Sequence, residues 1–283
     1  MEKALKRWFP VFAAPTLAAF AVGFIWPFLQ GLYLSFCQFT TVNNARWVGF
    51  GNYAEALRDA SFRDSFWFTV LFVIVVTILI NGIAFAIALA LTRELKGTNI
   101  FRTVFFMPNL IGGIVLGYIW QTVFNAVLLK WNQPLLALNT LAGFWGMVIL
   151  LCWQQIGYMM IIYIAGLQNI PPALMEAAQI DGATPWQSLL RVKLPMLMPS
   201  ITICLFLSIT NAFKLFDQNL SLTAGDPAHT TEMLALNIYY TFYARAGAVW
   251  KGIGQAKAVI FFILVVILAL TQLRITRAKE VEQ

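Results

Sequence analysis

Charged residues, histidine and cysteine are scarce in this sequence of 283 residues. Charged side chains make up 11% of the chain, whereas an ordinary soluble domain has about 25%. His229 is the single histidine, and Cys37, Cys152 and Cys204 have no spacing typical of a metal or redox site, so we expect them to be packing residues. The low charge argues against a soluble domain. The lack of clustered His, Cys, Asp and Glu argues against a membrane enzyme and predicts no metal site.

The sequence also lacks a glycine-rich loop that ends in Gly-Lys-Ser or Gly-Lys-Thr, the motif with which many ATPases bind nucleotide phosphates. We therefore expect no catalytic residues and no cofactor bound by this chain. Acidic residues are absent from the middle of the apolar runs, where carriers coupled to protons or sodium generally need them. A secondary carrier or channel that works without ATP is therefore a minor alternative.

Long apolar runs are what the sequence has in excess. Hydrophobic residues make up 60% of the chain and the mean hydropathy is +0.75. These values predict an all-α membrane protein with six transmembrane helices in two parts, a first helix with its outer loop at 1–65 and a core of five helices at 66–283. The six runs are residues 10–36, 66–92, 104–124, 144–168, 199–219 and 251–273.

Basic residues are distributed unevenly between the segments that connect these runs. Basic residues near membrane spans favour the cytoplasmic side, which predicts that both termini and the segment 169–198 are cytoplasmic. Contact with anionic lipid accounts for the net charge of +7, so no nucleic-acid partner is predicted. The inner basic residues are Lys3, Lys6, Arg7, Arg93, Lys96, Arg102, Arg191, Lys193, Arg274, Arg277 and Lys279.

The segment 169–198 is polar and helix-prone, and it has no lipid in which to bury. Pro172 suits the first turn of a helix and Gly182 suits the left-handed residue that follows one, so the sequence predicts a helix over 172–181. Thr184 suits the cap of a second short helix, predicted over 184–191. We expect this segment to contact a partner on the aqueous side.

The predicted helix at 172–181 suits a protein partner better than a membrane surface. A surface-bound helix would carry a bulky apolar stripe and a lysine-rich polar face, whereas small and acidic residues dominate here. Glu176 projects beside the predicted contact face, where a basic partner residue can pair with it. That face comprises Leu174, Ala177, Ala178 and Asp181.

A family signature falls in the same segment. Glu176-Ala177-Ala178 is followed after three residues by Gly182 and after nine more by Val192-Lys193-Leu194-Pro195. This pattern resembles the signature of the inner-membrane permease subunits of binding-protein-dependent ABC importers, with Val192 where isoleucine is usual. Three further segments resemble the maltose-type branch, which transports sugars: 47–53, 95–103 and 222–232.

The resemblance implies the transmembrane domain of a type I ABC importer in a prokaryotic plasma or inner membrane. It implies ATP-driven uptake of a sugar or oligosaccharide, with a glycerol-phosphate ester as the alternative substrate. The implied partners are a second, different permease subunit, two cytoplasmic P-loop ATPases that bind ATP and Mg²⁺, and an extracytoplasmic sugar-binding protein. The implied ATPase-coupling residues are Leu174, Glu176, Ala177, Ala178, Asp181, Gly182, Leu194 and Pro195.

Polar side chains in the fourth and fifth runs outline a candidate substrate path. Such groups are costly inside a membrane and tend to face a cavity or a partner, although bridging between helices is an equal alternative for each. Trp153 and Phe213 offer flat apolar faces for a sugar ring. Ala212 and Leu215 stand where the maltose-type family has asparagines. The candidate path comprises Leu151, Gln154, Gln155, Tyr158, Ser208, Asn211, Ala212 and Leu215.

Three charged residues lie near the outer ends of the last two runs. Lys214 and Asp217 are three residues apart, so we expect them to pair, with a role as an outer gate as the second interpretation. Lys257 is expected to extend its ammonium group to the outer surface.

Overall fold

The computed structural model describes residues 2–92 and 97–278, and these are predominantly helical. Two consecutive helical stretches, Pro185–Met196 and Met198–Phe213, meet at a bend of 71°. Together they are one candidate membrane span, in addition to the five helices named at the end of this paragraph. The side chains of Lys3, Lys6 and Arg7 and the whole of Arg93, Leu95, Lys96 and Lys279 lie outside the described residues. Within the described ranges, the helices long and apolar enough to cross a membrane are Val11–Leu34, Ala60–Leu91, Gly113–Lys130, Thr140–Gln168 and Ala248–Arg277.

The chain forms two compact units. The first contains the residues up to Ala60 together with Ile238–Phe262. In this unit a π-helical turn, Ala21–Ile25, joins the first two helices, and a 3₁₀ turn, Val42–Asn44, lies between two short antiparallel strands. Its elements are α1 (Glu2–Phe20), α2 (Trp26–Leu34), β1 (Cys37–Gln38), β2 (Arg46–Trp47) and α3 (Gly51–Arg58).

Aromatic packing and one buried amide hold the segment 47–53 in place. The ring of Phe36 stacks on Trp47 at 5.2 Å between centroids and also contacts Phe50 and Tyr53. The Asn52 amide donates to the carbonyl oxygens of Ser35 and Cys37, each at 2.9 Å. These contacts give a structural reason for the residues of the segment 47–53, because aromatic pairs and satisfied buried amides both stabilise a loop.

Lys257 does not reach the surface, so the sequence-based expectation for it is wrong. Its side chain is fully buried, and its Nζ donates to Asp59 Oδ2 at 2.7 Å and to Thr241 Oγ1 at 2.8 Å. Arg245 also approaches Asp59 Oδ2 at 3.4 Å. A carboxylate within the same unit lets the ammonium group stay buried, which sequence spacing alone does not reveal.

The second unit contains Ser61–Asn237 and the residues from Ile263 onward. The last helix, Ala248–Arg277, begins in the first unit and ends in the second. The helices that follow α3 are α4 (Ala60–Leu91), α5 (Thr98–Phe106), α6 (Gly113–Lys130), α7 (Thr140–Gln168), α8 (Pro172–Ile180), α9 (Pro185–Ser188), α10 (Leu194–Met196), α11 (Met198–Phe213), α12 (Asp217–Leu222), α13 (Leu234–Tyr239) and α14 (Ala248–Arg277).

The core of the second unit is centred on α7. The side-chain oxygen of Asn139 caps this helix by accepting from the backbone N–H groups of Leu141 and Ala142 at 2.9 and 3.1 Å. Most faces of α7 are buried, and the remaining face is an exposed apolar stripe that includes Trp145, Ile149 and Trp153. The largest fully buried apolar side chains of α4 and α7 are Phe72, Ile80, Met147, Leu150, Leu151, Met159 and Met160.

Two of the predicted spans have different bounds in the structure. The run at 104–124 is broken, because α5 ends at Phe106 and a 3₁₀ turn containing Pro108 precedes α6. Proline lacks the N–H group that would continue the helix. The run at 199–219 is also too long, since α11 ends at Phe213 and α12 starts only at Asp217. The other predicted runs coincide closely with helices.

Candidate functional site

Two regions of the second unit carry candidate functional residues, and the first is the segment from α8 to α10. α8 matches the predicted helix to within one residue, and Gly182 has the predicted left-handed backbone with φ of 72°. Thr184 Oγ1 accepts from Gln187 N at 3.3 Å, while the Gln187 side chain accepts from Thr184 N at 2.8 Å. This reciprocal capping box confirms the predicted start of the second helix.

The second helix is shorter than predicted. α9 ends at Ser188, and a π-helical turn, Leu189–Lys193, leads into α10. α8 packs against this turn. Local caps and this one packing contact therefore fix the shape of the segment.

The predicted contact face of α8 is wrong for one residue. Ala178 is 8% exposed, whereas Leu174, Ala177 and Asp181 are exposed, as is Glu176. Ala178 lies on the inner side of the helix because α8 packs on the turn that follows. The outer face therefore presents a carboxylate on either side of Ala177.

Large apolar side chains on this segment escaped sequence reasoning. Ile180 is 85% exposed and Trp186 is 66% exposed. Bulky apolar residues within an otherwise polar connector were the available signal, because exposed apolar groups rimmed by polar ones mark interaction sites. The segment thus combines an acidic patch around Glu176 with two apolar side chains suited to a partner's cavity.

The second region is a polar pocket with a volume of 280 Å³. It brings together four predicted path residues from α7 and the end of α11, and both members of the predicted outer gate. It also recruits Phe216 and Gln218, which sequence reasoning missed. Its lining residues are Leu151, Gln155, Asn211, Lys214, Leu215, Phe216, Asp217 and Gln218.

Gln154 supports the pocket wall instead of lining it. Its Nε2 donates to the carbonyl oxygen of Ile111 at 3.1 Å, and its Oε1 accepts from Gln218 Nε2 at 2.7 Å. The side chain is buried, with 6% of its surface exposed. It therefore joins α7, α12 and the break before α6, and it orients the amide of Gln218.

Other predicted path residues lie away from the pocket lining. Ser208 is buried, accepts from Asn81 Nδ2 at 2.9 Å and donates to Cys204 O at 2.5 Å. Tyr163 Oη donates to Asn81 Oδ1 at 2.8 Å, which completes a polar link between α4, α7 and α11. Ala212 is fully buried, and Tyr158 is half-buried with its ring tilted against Phe106.

The predicted aromatic faces are also absent from the lining. Trp153 packs edge-on against Trp120 at 5.4 Å between ring centroids, and Phe213 is buried, with 4% of its surface exposed. Phe216, in the turn after α11, is the aromatic residue among those that line the pocket. The pocket therefore has one flat apolar face among amide and ionic groups.

Three polar side chains of the pocket have unused hydrogen-bonding capacity. Gln155 Oε1 is buried without a hydrogen-bond partner. Lys214 and Asp217 are exposed, and within residues 2–92 and 97–278 they form no ion pair with each other. The expected pairing fails because a turn separates them, so they do not share one helical face. Unsatisfied donors and acceptors around a cavity suit a hydroxylated ligand.

Close packing between α6 and α12 positions one side of the pocket. Any side chain at Gly113 would collide with Asp217 and Gln218, and any side chain at Gly117 would collide with Ser221. The two glycines, four residues apart, let the helices approach closely. Asp217 and Gln218 thus owe their positions to a contact within the chain.

The segment 222–232 is organised around one buried amide. Asn219 Nδ2 donates to Thr223 Oγ1 at 3.0 Å and to Thr231 O at 2.8 Å, and its Oδ1 accepts from Met233 N at 2.9 Å. The buried carboxylate of Glu232 accepts from Asn237 Nδ2 at 2.6 Å. This network gives the motif at 222–232 a structural role next to α12, which contributes to the pocket.

The chain belongs to the family of binding-protein-dependent transport system inner membrane components, whose family model matches residues 82–280. This membership confirms the resemblance read from the sequence. The family consists of membrane components of transport systems, so the prediction of a permease without enzymatic activity of its own is confirmed as well.

Relatives and solved structures extend the match over nearly the whole chain. A probable starch degradation products transport system permease of Thermoanaerobacterium thermosulfurigenes is 41% identical, over 97% of this chain and 96% of the relative. A multiple sugar-binding transport system permease of Streptococcus mutans is 30% identical, over 98% and 97%. A bacterial ABC transporter that imports the acidic polysaccharide alginate has the same fold, with a TM-score of 0.81, 98% coverage of both chains and 21% identity.

Proposed function

We propose that this chain is a permease subunit of an ATP-driven importer that moves a sugar or oligosaccharide into the cell. The observation that carries the proposal is the polar pocket, whose amides Gln155, Asn211 and Gln218 surround a cavity with the apolar side chain of Phe216 on its wall. Amides and one aromatic face match the hydroxyls and flat ring of a sugar. The relatives named for starch degradation products and for multiple sugars support the same substrate class.

The proposed topology has six transmembrane helices with both termini in the cytoplasm. α11 is the fifth span in this arrangement, and the bend of 71° separates it from the preceding stretch Pro185–Met196. Arg191 and Lys193 of the connecting segment and Arg274 and Arg277 of α14 then lie on the cytoplasmic side, in agreement with the preference of basic residues. Residues 1–65 form the first helix and outer loop and 66–283 the core, in a prokaryotic plasma or inner membrane.

The segment from α8 to α10 is the proposed coupling element. It docks onto one of two P-loop ATPase subunits, which bind ATP and Mg²⁺, and transmits their closure to the membrane helices. Its exposed carboxylate at Glu176 and its apolar side chains support this role, because binding hot spots combine apolar anchors with charged groups. The proposed coupling residues are Leu174, Glu176, Ala177, Asp181, Gly182, Leu194 and Pro195, without the buried Ala178.

Other proposed partners complete the transporter. A second permease subunit, different from this one, provides the other half of the pathway, and an extracytoplasmic binding protein delivers the sugar. Membrane lipid surrounds the apolar helices, which carry many exposed large apolar side chains. Of the predicted substrate path, the proposal keeps the residues that line the pocket, which are Leu151, Gln155, Asn211 and Leu215.

A glycerol-phosphate ester is the less supported substrate. A phosphate group calls for an excess of cationic side chains, preferably arginine. The pocket has one cation, Lys214, and one carboxylate, Asp217, which offsets it. The balance of charge therefore favours an uncharged solute.

The test of the proposal is uptake by the complete transporter. The complex is extracted gently from its native membrane, its subunits are identified by mass spectrometry, and it is reconstituted with ATP inside vesicles and the extracytoplasmic binding protein outside them. We expect a P-loop ATPase, a second permease and ATP-dependent uptake of labelled maltotriose, and Glu176→Lys should abolish uptake while the subunit remains in the membrane. Uptake of glycerol 3-phosphate in place of maltotriose would reject the sugar, and the absence of an ATPase from every preparation would reject the coupling role.

A further inference from the structure

Two charged side chains line the polar pocket, and pairing with each other does not account for either. Lys214 follows the last residue of α11, and Asp217 is the first residue of α12. Both line the same cavity as Gln155 and Asn211. Their positions thus place an ammonium group and a carboxylate around the space proposed for the sugar.

Neither charge is used inside the chain. Among the residues that the structure describes, the side chains of Lys214 and Asp217 form no ion pair and no hydrogen bond. Two opposite charges this near the apolar spans normally gain by pairing, because unpaired ions are costly there. The ammonium group and the carboxylate are therefore both available to a ligand.

The combination selects for a particular ligand chemistry. A carboxylate accepts hydrogen bonds from two neighbouring hydroxyls, and an ammonium group donates to hydroxyl or ring oxygens. A solute with a net charge is attracted by one group and repelled by the other, whereas a neutral polyhydroxyl solute gains from both. Equal and opposite charges thus discriminate against ions without weakening the binding of neutral sugars.

We propose that Lys214 and Asp217 contact the substrate directly and restrict this pocket to neutral sugars, with Asp217 excluding acidic ones. The proposal rests on the function proposed above and assigns the two residues to substrate selection in place of an outer gate. It makes an asymmetric prediction for single substitutions. Loss of Asp217 leaves the cation alone and admits acidic sugars, whereas loss of Lys214 leaves the carboxylate alone and excludes them further.

The experiment measures equilibrium binding to the purified transporter complex without its binding protein, so that delivery does not filter the ligands. The probes are maltotriose and trigalacturonate, which are alike in length and differ in charge. The variants are Asp217→Asn, Lys214→Met and the double variant that carries both substitutions. Asp64→Asn and Lys130→Met are matched controls, because they change the net charge equally at exposed positions that do not line the pocket.

We expect each single substitution in the pocket to weaken maltotriose binding by about tenfold or more, the typical effect of losing a hydrogen bond to a charged group. Asp217→Asn should also bind trigalacturonate about tenfold more tightly than the unmodified protein. The double variant should lose that gain, because its pocket has no net charge. Asp217→Glu keeps the charge, so this variant should still exclude trigalacturonate. Exclusion by Asp217→Glu would show that Asp217→Asn admits trigalacturonate through the lost charge and not through damage to the fold.

Two results would overturn the inference and leave the proposed function intact. One is an affinity for maltotriose that is the same in all pocket variants as in the unmodified protein. The other is an Asp217→Asn variant that still excludes trigalacturonate although it binds maltotriose. Failure of the unmodified complex to bind or take up any sugar would instead reject the proposed function itself.

Discussion

The exposed segment from α8 to α10 and the polar pocket are built in opposite ways. Caps and turns within a few residues, such as the Thr184–Gln187 capping box, shape the segment, and its largest side chains point outward. The pocket is assembled from α7, the end of α11 and α12, and the two charged residues among its lining, Lys214 and Asp217, form no ion pair within the described residues. An outward apolar surface suits a lasting protein partner, whereas inward unpaired polar groups suit a small ligand that binds and leaves.

The largest effect is expected from a substitution in the turn between α8 and α9. Gly182 has a left-handed backbone that proline cannot adopt, so Gly182→Pro should reduce ATP-dependent uptake to background. Asparagine tolerates that conformation, so Gly182→Asn should keep most of the uptake. Uptake in vesicles and the amount of subunit in the membrane are measured together. A Gly182→Pro subunit that is missing from the membrane would point to a folding defect and contradict a role in coupling.

The exposed tryptophan of the segment provides the next largest effect. If Trp186 is an anchor in the ATPase interface, Trp186→Ala should cost about 2 kcal/mol of binding free energy, which raises the Kd for the ATPase by roughly 30-fold. Trp131 is similarly exposed, at 70%, but lies after α6, so Trp131→Ala should leave this Kd unchanged. Equal effects of the two substitutions would remove the special role of the segment.

Two asparagines of the second unit separate ligand contact from structural bridging. Asn211 lines the pocket, so Asn211→Leu should weaken maltotriose binding by about tenfold with little change in thermal stability. Asn81 bridges Tyr163 and Ser208, so Asn81→Leu should cost about 1–3 kcal/mol of stability through unsatisfied partners and leave sugar preference unchanged. Thermal unfolding and equilibrium maltotriose binding are measured for both variants. A loss of stability in Asn211→Leu together with a loss of binding in Asn81→Leu would contradict the assignment of the two roles.

The capping residue of α9 should have the smallest effect. Thr184→Ala removes the acceptor for Gln187 N and should destabilise the segment by about 1 kcal/mol. We expect uptake to fall by about fivefold at most, because the turn at Gly182 and the packing of α8 remain. Hydrogen exchange of the α9 amides should become faster in the variant while exchange in α7 stays the same. Unchanged exchange in α9 would mean that tertiary contacts, not the cap, hold the helix.

Sequence reasoning worked best where the relevant contacts are local. Proline and glycine positions predicted α8 and its left-handed end correctly, because these residues restrict the backbone directly. The same reasoning misplaced Ala178, since helical spacing shows which residues share a face but not which face is covered. It also misjudged Lys257, whose carboxylate partner Asp59 is distant in sequence.

The amino-acid sequence by itself determined four of the six apolar spans and the caps of the exposed segment, because hydropathy and capping depend on residues close together in the chain. It also contains the family signature. Only the tertiary structure decided which polar side chains of α7, α11 and α12 face the pocket. Gln154 and Gln155 show why: adjacent amides in one helix have different roles, since Gln218 meets the first while the second faces the cavity. Those roles depend on the approach of α12 to α6 at Gly113 and Gly117, a contact between residues about a hundred positions apart.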